Sequence, residues 1–189
     1  EVLVVPTDVT READCRALVD ATVALFGRLD ILVNNAGATM WARVDEIRDL
    51  AMLDRIMQVN YLGAAYCTAH ALPHLKASRG RIVGIASLTG LTGVPTRSGY
   101  AAAKHAMRGF FDSLRIEMAG TGVTVTMVYP GFVATGIREN ATGPEGRPAR
   151  IDPVDPGRVM PVEECARQIR QAIAGRRREI GRASCRERV

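Results

Sequence analysis

Apolar and polar positions along the chain switch repeatedly between runs that suit a strand and spacings that suit a helix. Val2-Leu3-Val4-Val5 is an unbroken apolar run of the kind found in a strand covered on both faces. A helix is predicted from an N-cap at Thr10 to about Phe26, with Gly27 as its stop. Residues 29–33 read as the next strand. A long helical stretch over about 50–75 follows, interrupted by Gly63 and Pro73. Arg81–Ile85 reads as a strand, 98–118 as a helix ended near Gly120 and Gly122, residues 123–128 as a strand, and Val162–Ala174 as a last helix. Between these last two, residues 136–161 are polar and rich in Pro and Gly, and 138–161 suit a mobile lid or plain disorder.

Strands that alternate with helices pair in parallel. The expected fold is α/β, a doubly wound parallel sheet in one domain, and 189 residues suffice for its core. In such sheets ligands bind beyond the carboxyl ends of the strands. Asp8, the run Asn34-Asn35-Ala36-Gly37, Ser87, and Pro130-Gly131 all fall just after predicted strands.

Composition narrows the class further. The chain is 47% hydrophobic and 24% charged, as a globular domain is. It contains no apolar run long enough to span a bilayer and no secretory signal pattern. It opens on Glu1 and enters an apolar run at once, so it is expected to begin inside a fold. The formal charge is +5, with arginines gathered at 176, 177, 178, 182, 186 and 188. Without interleaved aromatics or a groove-reading motif, that cluster reads as a solvated tail and not as a nucleic-acid site. Cys15, Cys67, Cys165 and Cys185 show no metal or redox spacing, which points to reduced thiols and a cytoplasmic location. His70 and His74 share a helix face but have no third ligand nearby, so a structural role is favoured over zinc. Residues 180–189 break the preceding pattern and resemble the translation of a sequencing-adapter oligonucleotide. The expected domain is therefore 1–179, with 180–189 a non-native tail.

Tyr100 and Lys104 stand four apart, on one helix face. A free phenol titrates near ~10. A neighbouring cation favours the phenolate, so a tyrosine beside a lysine can exchange a proton with a carbonyl–alcohol pair. Ser87 follows the strand Arg81–Ile85, and its hydroxyl can hold a substrate oxygen facing that helix. Met40 and Trp41 either line an apolar pocket or pack against the helix beyond.

Taken in order, Asn34-Asn35-Ala36-Gly37, Asn60, Ser87, Tyr100 with Lys104, and Pro130-Gly131-Phe132-Val133-Ala134-Thr135 resemble the classical short-chain dehydrogenase/reductase family. The likeness runs from Glu1 to about Arg178. Asn60-Tyr-Leu-Gly63, residues 71–76 and Lys104-His-Ala106 are similar to its hydroxysteroid-dehydrogenase-like branch, which accepts lipophilic carbonyls. The resemblance implies a Rossmann-like fold and a hydride-transferring oxidoreductase, acting on a small-molecule alcohol or carbonyl with NAD or NADP. It implies that Tyr100 is the general acid or base, that Lys104 lowers the Tyr100 pKa and holds the nicotinamide ribose, and that Ser87 orients the substrate oxygen. Asn60 would position a water linking Lys104 to solvent. Asp8 and Val9 match the position that contacts adenine, and Asn34, Ala36 and Gly37 line the cofactor cleft. Pro130, Gly131, Val133 and Thr135 complete the cofactor contacts, the last two in the segment that holds the nicotinamide amide. Residues 136–161 match the substrate-covering segment.

The resemblance also implies what this chain does not carry. The glycine-rich turn that binds pyrophosphate, and the strand that reads the adenosine ribose, belong to two strand–helix units of about 50–60 residues expected upstream. The order of the complete sheet would be 3-2-1-4-5-6-7, with residues 2–5 as the third strand and 29–33 as the fourth. The chain alone is expected to fold poorly and to bind the cofactor weakly. A non-catalytic binding or scaffold module is the rival reading, best suited to the chain by itself. A homo-oligomer is expected for the whole protein, packed through helices around 52–75 and 100–118, where Met107, Phe110, Phe111 and Leu114 cover more than one face.

Overall fold

Four parallel strands form the sheet in the computed structural model, which describes residues 1–150, 154, 155, 157 and 159–181. They are β1 (Ile31–Asn34), β2 (Arg81–Ile85), β3 (Thr124–Val128) and β4 (Glu179–Ile180), lying side by side in chain order. Ile31 pairs with Arg81, Arg81 with Thr124, and Val128 with Ile180. This is the 4-5-6-7 half of the expected order. Among the described residues, β1 has a ladder partner on one side only. The helices are α1 (Glu12–Phe26), α2 (Ala51–Met57), α3 (Gly63–Ser78), α4 (Ser98–Glu117) and α5 (Val162–Ala174).

Alternation along the strands divides the two faces. Leu32, Ile82, Val125, Met127 and Tyr129 join the main core with Ala71 and Leu75 of α3 and Met107, Phe111, Leu114 and Met118 around α4. Val128 points the other way and lines a small cavity with Cys165, Gln168 and Ile169 of α5. On that second face Ile31 and Val33 are exposed.

Several expectations need correction. Residues 2–5 are not a strand: no ladder partner lies beside them, and Val2 and Val4 are 86% and 82% exposed. An apolar run marks a segment that can enter a sheet, but only backbone pairing makes it a strand. The helix over 50–75 is not interrupted at Gly63 or Pro73. α2 runs into α3 through one π-helical turn, Gln58–Leu62, where the Gly63 amide donates to the Gln58 carbonyl. Gly63 serves close packing, since a Cβ there would lie 2.8 Å from Val9 Cβ. Pro73 lies inside α3, whose buried stripe Ala64, Cys67, Thr68, Ala71 and Leu75 holds it in place despite the lost ladder bond. Thr10 is not the cap of α1. Arg11 occupies that position, and Asp8 ties the turn by accepting from the Thr10 amide at 2.9 Å.

Met107, Phe111 and Leu114 pack within this chain's own core, so they do not argue for an interface. Residues 136–150 are tied down by backbone bonds between Thr142 and both Thr39 and Trp41, and Ala141 is buried. Ile180, the first residue of the suspected tail, pairs in β4, while 182–189 lie outside the described residues. Cys15, Cys67 and Cys165 are free thiols, and Cys185 is outside the described residues. No group of metal-binding side chains occurs among the described residues, and His70 sits 3.2 Å from Glu12. No described helix is long and apolar enough to cross a membrane.

The open side of β1, the bare Ile31–Val33 face and the unpaired residues 2–5 set an expectation for the chain alone. Large apolar side chains left in water forgo about 1.5–3 kcal/mol of burial each, against a domain's margin of ~5–15 kcal/mol, and an open apolar sheet edge invites aggregation. Residues 1–181 should therefore melt without a cooperative transition in scanning calorimetry. A sharp two-state melt would contradict this.

Candidate active site

α4 buries one stripe: Tyr100, Ala103, Lys104, Met107, Phe111 and Leu114. This i, i+3, i+4, i+7 spacing lays the helix on the sheet. Its C-terminal part is ordinary core, but its first two turns bring a phenol and an ammonium to the carboxyl end of β2. Lys104 is only 3% exposed, and its Nζ donates to the Ile85 carbonyl at 2.9 Å. Burial penalises the ammonium and pulls its pKa down to about 8. Nζ lies 5.7 Å from the centre of the Tyr100 ring.

Tyr100 is also buried, and burial raises its pKa. Two neighbours act against that: a hydrogen bond to the Ser87 side chain, and the charge of Arg97. Ser87 follows β2 and caps the short turn Leu88–Gly90, with its Oγ accepting from the Thr89 amide at 3.2 Å. The ladder continues beyond the strand, from the Ala86 amide to the Val128 carbonyl and from the Leu88 amide to the Pro130 carbonyl. This fixes Ser87 relative to β3.

Asn60 sits in the π turn, fully buried. Its Nδ2 donates to the carbonyls of Ala38 and Ile56, both at 2.8 Å. Its Oδ1 is buried with no hydrogen-bond partner among the described residues. A Cβ on Gly37 would stand 3.1 Å from that oxygen and 3.7 Å from Lys104 Nζ. The Asn60 oxygen and the lysine nitrogen thus border one small space beneath the exposed Ala36-Gly37 turn.

A family model described as short chain dehydrogenase matches residues 1–145. The chain belongs to that family. It is 38% identical over 183 residues to 11-beta-hydroxysteroid dehydrogenase A of Sesamum indicum, covering 94% of this chain and 52% of that protein. It is 35% identical to Dehydrogenase/reductase SDR family member 7 of Mus musculus, covering 95% and 54%. The chain spans about half the length of these curated relatives. Its fold matches that of an alcohol dehydrogenase from the archaeon Thermococcus sibiricus, solved complexed with 5-hydroxy-NADP, with a TM-score of 0.75 at 23% identity, over 89% of this chain and 66% of that one.

The remaining positions of this short-chain dehydrogenase chain fall into two groups. Pro130 and Gly131 stand close to the site, since the Pro130 carbonyl accepts from Leu88 and a Cβ on Gly131 would lie 3.5 Å from Leu88. Val9 packs against Gly63, one turn from Asn60. The others have local work. Asp8 is exposed, with its carboxylate held below the usual range by the Thr10 amide and hydroxyl. Asn34 donates to Thr68 Oγ1 at 3.1 Å, joining the end of β1 to α3. Val133 bridges to Met160, and Thr135, exposed, donates its amide to the Val133 carbonyl. Met40 is fully buried among Met52, Ile56 and Tyr100.

Sequence reasoning passed over Arg97. Its guanidinium lies 3.7 Å from the centre of the Trp41 ring and 5.8 Å from those of Tyr100 and Phe132. The signal available was its i−3 spacing from Tyr100, which shares a helix face. Thr96 before it has φ +65°, unusual for a β-branched residue and a strain of about 1–3 kcal/mol. Its carbonyl accepts from the Ala42 amide at 3.0 Å.

Asn60→Ala should remove both side-chain bonds of the π turn, the one to Ala38 and the one to Ile56. The expected loss is about 1–3 kcal/mol in urea unfolding of the whole protein. A loss under ~0.5 kcal/mol would show that the turn does not depend on them.

Proposed function

We propose that the whole protein is an oxidoreductase that interconverts an alcohol and a ketone or aldehyde with NAD or NADP, with Tyr100 as its proton-transfer group. The observation that carries this reading is the meeting of Ser87, Tyr100, Lys104 and Asn60 at the carboxyl end of β2, with Lys104 Nζ fixed on the Ile85 carbonyl and bordering one space with Asn60 Oδ1. The residues present fit the nicotinamide-ribose end of such a cofactor. A bare glycine, a buried ammonium and an orphaned amide oxygen border one space that a side chain at residue 37 would fill. When bound, the cofactor supplies the hydride donor or acceptor.

In reduction, the Tyr100 hydroxyl gives its proton to the developing alkoxide; in oxidation, its oxygen takes that proton back. Ser87 Oγ steadies the reacting oxygen. Lys104 Nζ would hold the ribose hydroxyls, and Asn60 Oδ1 would accept from a water that links the lysine to solvent. Lipophilic substrates are consistent with the names of the plant relatives and with the apolar wall of Met52, Ile56 and Met40 behind Tyr100. A homo-oligomeric, cytoplasmic whole protein belongs to the same reading.

Tyr100→Phe keeps the packing of the ring and removes the proton. Turnover by the whole protein should fall at least ~100-fold while cofactor affinity, measured by calorimetry, changes little. Retention of a tenth of the activity would remove Tyr100 from the mechanism.

Lys104→Met should weaken cofactor binding and move the basic limb of the oxidation rate to higher pH. It should also raise thermal stability at pH 7, because it deletes a buried charge. The Lys104 pKa is lowered from 10.5 to about 8 in the folded protein, so between those values the unfolded chain holds more protons and wild-type stability climbs with pH. The melting-temperature gap should therefore narrow from pH 8 to 10. A gap that widens would show that Lys104 is stabilising as a cation.

A further inference from the structure

Arg97 has no place in the chemistry described so far, yet the fold goes to some length to hold it. It is a cation 7% exposed, at the N-cap of α4, three residues before Tyr100. The face of its guanidinium rests on Trp41, with the Tyr100 and Phe132 rings on either side. A guanidinium over an indole face is a favourable and oriented contact. Each wall is tied by backbone. The Trp41 amide donates to the Thr142 carbonyl, Ala42 donates to Thr96, and the Phe132 carbonyl accepts from Met160. The left-handed Thr96 immediately before it directs the chain into this seat.

We propose that Arg97 is a positioning residue for Tyr100, a permanent cation clamped on Trp41 beside the phenol that favours its ionised form during proton transfer. The inference rests on the reading that Tyr100 transfers the proton. The surroundings single out Arg97. Among the described residues, the charged neighbours are Arg97, at the N-cap of α4, and Lys104, within it. The segment after β2 contributes Ser87, the loop after β1 contributes Met40 and Ala42, α2 contributes Met52 and Ile56, and the segment after β3 contributes Phe132. Lys104 Nζ is engaged by the Ile85 carbonyl, and it loses its charge as pH rises through about 8. A guanidinium keeps its charge throughout that range. The phenol therefore retains a cation in the alkaline range where alcohol oxidation needs a base. The charge of Arg97 and the Ser87 hydrogen bond are also the two influences that offset the effect of burial on Tyr100.

The test is a titration of Tyr100 in the whole protein by 13Cζ-tyrosine NMR, with Tyr100→Phe assigning the signal, alongside the pH profile of kcat/KM for alcohol oxidation. Arg97→Met should move both upward by on the order of one pH unit, a roughly tenfold loss of phenolate at fixed pH. Arg97→Lys, which keeps a cation, should recover most of that shift. Trp41→Leu removes the seat and should shift both in the same direction as Arg97→Met. If Arg97→Met does not fold, the pair Arg97→Lys and Trp41→Leu decides the matter. A Tyr100 titration and pH profile unchanged in Trp41→Leu, or unchanged in a folded Arg97→Met, would overturn the proposal and leave the role of Tyr100 intact. An active Tyr100→Phe would instead overturn the reading beneath it, whatever the titration shows.

Discussion

An ammonium group held almost out of water by a single backbone carbonyl is the constraint around which the site is arranged. Burying Lys104 costs free energy that geometry must offset, because no carboxylate among the described residues faces it. The geometry has two anchors. Ile85 is the last residue of β2, and hydrogen bonds to β3 continue past it through Ala86 and Leu88, so the accepting carbonyl sits on a braced strand end. The lysine backbone sits on the α4 stripe, whose lower half is Met107, Phe111 and Leu114 in the main core. Helix and sheet must pack at one depth for Nζ to meet that oxygen at 2.9 Å. Core packing therefore decides where this buried cation stands.

The same logic explains the π turn. A helix satisfies its own backbone, and its side chains normally have no carbonyl of the preceding turn to bind. Widening one turn at Gln58–Leu62 lets Asn60 turn its amide to the Ile56 carbonyl and across to Ala38, leaving Oδ1 to face Gly37 and Lys104. The local irregularity thus places an acceptor next to the buried donor. It also fastens the turn after β1 to the helix, which keeps the space under Gly37 open.

Legibility followed range. Periodicity gave Arg81–Ile85 and Val162–Ala174 to the residue and the ends of α4 to within one, because those signals are local. It failed at residues 2–5, since an apolar run carries no information about whether a partner strand is beside it. It failed at Gly63 and Pro73 because propensity is a weak term against a buried stripe, and the actual irregularity fell at Gln58–Leu62, where no Gly or Pro announces it. Tyr100, Lys104, Ser87 and Asn60 were readable as a spaced set, and the fold brings them together. Arg97 was not. Nothing local separates a guanidinium stacked on indole from one in solvent, and the ring it rests on comes from the far side of α2 and α3.

That distance has a consequence for the segment after β3. Its composition suits a lid, yet its described part is bonded to the loop after β1, with Thr142 giving its amide to Thr39 and its carbonyl to Trp41. Trp41 is also the seat of Arg97, and Ala42 holds the strained Thr96. Residues 136–150, the loop after β1 and the start of α4 therefore share one set of backbone bonds around the phenol. A displacement of residues 136–150 must break those bonds or carry Trp41 with it. The position of residues 136–150 and the surroundings of Tyr100 are, by this construction, not independent.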